Sequence, residues 1–102
     1  MRHDLLIQFD DQTTVEIAVD AAQLPDALDA RRWLDEEFTR RECEPLRPSG
    51  KLLTTDKLLV LAQEIGPTGF ADEALRQAFA RAVLGQLQRP AVTINLQTMK
   101  VS

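Results

Sequence analysis

The chain has one cysteine, one histidine, one tryptophan and no tyrosine among its 102 residues. Each shortage closes a route. A single cysteine, Cys43, allows no intramolecular disulfide. It stands between Glu42 and Glu44, whose carboxylates disfavour a thiolate. His3 lies forty residues away near a terminus, so nothing in the spacing argues for a Cys–His nucleophilic pair. No run of 18 apolar residues occurs, and the opening MRHDLLIQFDD lacks the apolar region of a signal peptide. No membrane partner is therefore expected, and the cytoplasm is the expected compartment.

An excess of positive charge is also missing. The net charge is −4, and it is unevenly placed. Residues 1–30 carry seven acids against one base, Arg2, whereas residues 51–102 carry six bases against four acids. This balance lacks the electrostatic footprint of a nucleic-acid binder, so no nucleic-acid partner is expected. The acidic start reads either as a solvated surface or as a docking face for a basic partner.

Metal and phosphate motifs fail on inspection. Asp10-Asp11 has no third acid at ligand spacing and reads as a turn. Ser49-Gly50-Lys51 resembles the end of a phosphate loop. The first glycine of that motif would fall at Pro45, and Leu52 replaces the required hydroxyl residue. No cofactor and no catalytic residue is expected.

What is present describes a folded domain, with 44% hydrophobic and 27% charged residues. Its organising stretch is residues 70–88, FADEALRQAFARAVLGQLQ, read as one long helix. Ala71, Ala74, Leu75, Ala78, Phe79, Ala82 and Val83 recur at helical spacing. Asp72 and Glu73 suit its first turn and Arg89 its end. Gly66-Pro67 and Pro90 bound it. Ala71, Ala78, Ala82 and Gly85 form a ridge of small residues that another backbone can approach. Ala80, Leu84 and Leu87 fall on the far side, so the helix is expected to be sandwiched. Two covers are open for that side: a second helix of the same chain, with 52–65 the first candidate, or a second subunit. In the second case Ala80, Leu84 and Leu87 would be an interaction surface.

The remaining elements follow from period and punctuation. Residues 5–9 and 13–19 alternate apolar and polar, which predicts two half-buried strands in an antiparallel hairpin. A helix is expected from about Pro25 to Glu42, with Leu28, Trp33, Leu34 and Phe38 as its apolar stripe and i,i+4 ion pairs such as Glu37 with Arg41 facing water. Residues 45–51, PLRPSGK, form a loop in which Arg47, Ser49 and Lys51 could hold an anion. Thr54 or Thr55 caps the helix at 52–65. Residues 91–101 predict a third strand, expected beside the first, with a bulge or fraying where Met99 and Val101 break parity.

The order is β-β-α-α-α-β in one domain. The expected fold is a two-layer α+β domain, a three-stranded antiparallel or mixed sheet with helices on one face. The expected function is a non-catalytic protein-interaction or accessory module that associates with a protein partner or with itself. Two alternatives are kept: a weak helix-turn-helix around Ala62, Gly66 and Leu75, and an anion-binding domain using the 45–51 loop.

Overall fold

The computed structural model describes residues 2–10, 12–40, 54–98 and 100–101. It shows a mixed sheet with three helices packed on its inner face. β1 is Arg2–Gln8, β2 Thr14–Asp20, β3 Ala91–Asn95 and β4 Lys100–Val101. The order across the sheet is β2-β1-β3-β4, with β1 antiparallel to β2 and parallel to β3. The helices are α1 (Ala27–Arg40), α2 (Thr55–Gly69) and α3 (Glu73–Leu87).

Alternation sets the two faces of the sheet. Leu5, Ile7, Phe9, Ile17, Val19, Val92, Ile94 and Leu96 are all buried on the helix side. Their neighbours Arg2, Thr14, Glu16, Ala18 and Asp20 are exposed on the other. Because side chains in a strand alternate strictly, a slip of one residue would reverse both faces. Pro90 connects helix to sheet. It halts the helix, and its carbonyl accepts the Asp4 N–H at 3.0 Å, the first bond of the parallel pair.

The last strand departs from expectation. Instead of one frayed strand over 91–101, the chain reverses after Asn95. The Asn95 side-chain oxygen accepts the N–H of Gln97 at 3.0 Å and of Thr98 at 3.3 Å. A short amide that caps the following backbone competes with extension of the strand. The returning segment, β4, pairs antiparallel with β3, Val101 opposite Ile94. The broken parity at Val101 is therefore a hairpin, not a bulge.

α3 starts later than the 70–88 reading. Asp72 is its N-cap, accepting from Ala74 N at 2.9 Å and Leu75 N at 3.3 Å, an arrangement worth about 1 kcal/mol. Phe70 lies outside the helix, buried against Phe79 at 5.3 Å edge-to-face and against Phe9 at 6.2 Å. Such ring pairs add about 0.5–1.5 kcal/mol each beyond area burial. Ala71 is exposed and drops out of the small-residue ridge. Gly66, at φ 71°, breaks the helical run of α2 just before Pro67. Thr54 is the α2 cap, accepting from Lys57 N at 3.3 Å.

The helix at 27–40 also differs in detail. Pro25 lies in a 3-10 turn, Ala21–Asp26, that precedes α1. Leu34 is fully buried as the apolar stripe requires, but Leu28 is 48% exposed and Ala30 is buried in its place. Glu37 turns inward and pairs with Arg40 at 2.7 Å, one turn along. The side chain of Phe38 and all of Arg41 lie outside the described residues.

Candidate functional site

The far side of α3 is closed within the chain. Ala80 and Leu84 have no exposed surface, and Leu87 is partly buried against the core. Ala80 and Leu84 therefore offer no surface in the single chain, and Leu87 offers only part of its side chain. Gln77, Ala80 and Leu84 share one stripe of α3, at i, i+3 and i+7. Gln77 Nε2 donates to the Ala18 carbonyl at 3.0 Å, so the stripe faces β2. On that flank α3 meets β2, through Arg76 and Gln77, more than it meets the helix at 52–65. The opposite flank, with Ala78 and Gly85, lies against α1 and the turn before it. A Cβ on Gly85 would run into the Ala27 methyl and sit 2.9 Å from the Leu24 carbonyl oxygen. α3 is sandwiched as its two apolar flanks predict, between β2 and α1.

The same face of α3 occupies part of the β2 edge of the sheet. The Phe9 N–H donates to the Thr13 carbonyl at 2.8 Å. Stepping by two along the ladder, the backbone polar groups of Thr14, Glu16, Ala18 and Asp20 point away from β1. Two of those outward carbonyls are taken by α3: Arg76 Nη2 donates to Glu16 O at 2.8 Å, and Gln77 to Ala18 O. Unpaired edge groups are a template for strand addition, and here they are partly occupied. The double variant Arg76→Ala/Gln77→Ala is expected to form concentration-dependent oligomers in sedimentation runs where the parent chain stays a monomer. An unchanged monomer would remove the guarding role.

Arg76, Gln77 and Asp72 are thereby engaged at the start of α3, where a helix-turn-helix protein would need side chains free for a DNA groove. Arg47, Ser49 and Lys51 lie outside the described residues, as does Cys43. Among the described residues, no group of three or more His, Cys, Asp or Glu side chains could hold a metal ion. No helix of the described residues is long and apolar enough to cross a membrane.

One groove of the described surface joins a tryptophan wall to rims of both charge signs. It runs between α1 with its preceding turn and α3, encloses about 340 Å³, and is lined by Asp26, Asp29, Ala30, Trp33, Ala74, Ala78 and Arg81. Its origin is local. Asp26, Asp29, Ala30 and Trp33 follow at i, i+3, i+4 and i+7, so one helical stripe brings acids and indole to the same side. The facing residues of α3 are alanines, so the two helices leave space between them. Trp33 is half-buried and packed against the core. Arg81 leans along its own helix, Nε donating to the Gln77 carbonyl at 3.3 Å. Asp26 and Asp29 form no ion pair among the described residues, and Asp29 stands in the first turn of α1.

Sequence reasoning missed this groove. Trp33 was assigned wholly to the core stripe, and the acids were read as part of a generally acidic start. The spacing 26, 29, 33 was the available signal. A second hollow of about 420 Å³ lies at the carboxyl ends of β1 and β3, lined by Phe9, Asp10, Gln63, Gly66, Pro67 and Leu96. Its amide is already used, Gln63 Nε2 donating to Leu96 O at 3.1 Å, so Asp10 is its one charged group.

No family model matches the chain, and no curated protein or solved structure shows significant similarity to it.

Proposed function

We propose that the chain is a non-catalytic interaction module that docks a segment of another protein in the groove between α1 and α3. The observation that carries this reading is Trp33, an aromatic wall packed against the core beside two carboxylates that form no ion pair among the described residues, above an alanine floor. Fixed aromatic side chains with a polar rim are the usual anchors of protein interfaces. Among the described residues the lining holds no Ser, Thr, Cys, His or Lys, so binding is what its chemistry supports. Self-association has less support than docking of another protein. Ala80 and Leu84 are covered within the chain, and the β2 edge is guarded by Arg76 and Gln77.

The test is site-directed cross-linking in a lysate of the source cell. A photoreactive benzoylphenylalanine replaces Ala74, an exposed groove position, or Ala18, an exposed position on the outer sheet face. The expected result is a discrete adduct with another polypeptide from position 74 and none from position 18. Adducts only between copies of this chain, or equal adducts from both positions, would contradict the reading.

A further inference from the structure

We propose that the occupant of the α1/α3 groove is an arginine side chain of the partner segment, a proposal that rests on the docking reading above. Charge is the first argument. The groove contributes Asp26 and Asp29 against Arg81, so it is acidic on balance. Neither aspartate is committed elsewhere among the described residues. The guanidinium of Arg81 is drawn back along α3 by its bond to the Gln77 carbonyl, which leaves the α1 rim to the aspartates. A rim of net negative charge speeds the approach of a basic partner.

Shape is the second argument. The face of an indole attracts a cation, and a planar guanidinium stacks on it better than a compact ammonium does. The same plane presents donors in a fork that two carboxylates can receive together. Asp29 and Trp33 lie on one stripe of α1, and Asp26 ends the 3-10 turn that leads into it, so stacking and pairing are available to a single side chain. The alanines at 30, 74 and 78 leave room for its methylene stem. A lysine could satisfy the charge but would gain less from the ring.

Trp33 is the only tryptophan, so its emission reports the groove directly. The probe is an acetylated, amidated hexapeptide of alternating glycine and arginine. Lysine and glutamate versions serve as comparisons. The expected result is a saturable change in Trp33 emission with the arginine peptide, several-fold weaker binding of the lysine peptide, and none of the glutamate peptide. Asp26→Asn/Asp29→Asn should raise Kd by about tenfold or more, as for loss of a charge-assisted contact. Asp4→Asn/Glu16→Gln removes the same charge from the outer sheet face and should change Kd by less than about twofold, given screening over a Debye length. Arg81→Gln should lower Kd. Circular dichroism confirms that each variant is folded.

Equal weakening by the two carboxylate pairs would overturn the proposal, because attraction would then be general. So would binding of the glutamate peptide, which would make Arg81 the recognition group, or no saturable response at all. A cross-link from position 74 together with a silent arginine titration would retain docking in the groove and reject arginine as its occupant. Saturable arginine binding without any adduct at 74 would support the arginine site and reject a protein partner in the cell.

Discussion

Leu84→Ala is expected to lower the free energy of unfolding by about 2–5 kcal/mol, the usual range for truncating a fully buried leucine, while the sedimentation coefficient of the folded protein stays the same. Leu84 has no exposed surface in the single chain. Removing three carbons there leaves a cavity facing β2, and surrounding atoms relax into it only in part. In a domain of this size each kcal/mol moves the melting temperature by about 4–8 °C, so the loss is easily read in a thermal scan. A leucine at a subunit interface would give the opposite pattern: a shift in oligomeric state, and a loss of stability that depends on protein concentration. That pattern would remove the intramolecular cover from the account.

Gly85→Ala is expected to destabilise the protein by about 1–2 kcal/mol. The sign is the informative part. In an exposed helix interior, alanine is about 1 kcal/mol more favourable than glycine. At Gly85 the new methyl would meet the Ala27 methyl and the Leu24 carbonyl. Neither is the free end of a flexible side chain, so the backbone of α1 or α3 must move. Overpacking of this kind costs about 1–3 kcal/mol, which outweighs the gain in propensity. Gly85→Leu should be worse still, since a larger side chain has to fit the same gap. Thermal or urea unfolding of the two variants checks both the sign and the order. A stabilised alanine variant would mean that the close approach between α1 and α3 does not hold.

These two residues also show what the sequence could convey. Gly85 was legible, because a row of small residues at helical spacing calls for a close neighbour whatever that neighbour is. The hairpin of β1 and β2 was legible for a similar reason. Strict alternation on each side of a short polar turn leaves little else to build. The α+β layout and the place of the last long strand beside the first followed from the same patterns. Leu84 was legible only by half. Its spacing demands a cover, but the identity of that cover is a long-range fact, and the strand that provides it lies some sixty residues earlier in the chain.

Asn95 misled for a local reason. In sequence it is one more polar residue in an alternating run, yet its side chain turns the backbone and splits the run in two. Asp72 was placed one step too deep in α3, because an acid at a helix start serves the first turn and the cap almost equally well. The groove was the least visible feature. Asp26, Asp29 and Trp33 fall on one stripe whichever way the helix packs, but only the course of α1 along α3 turns that stripe into a site.

The claim beneath both the fold and the function is that α3 is walled in by its own chain on two sides. Hydrogen–deuterium exchange of the α3 amides at two protein concentrations, tenfold apart in the micromolar range, tests it most directly. Intramolecular cover by β2 and α1 predicts slow exchange through residues 77–87, identical at both concentrations. Protection that grows with concentration, or fast exchange around Leu84 in the dilute sample, would contradict it and return that flank of the helix to a second subunit.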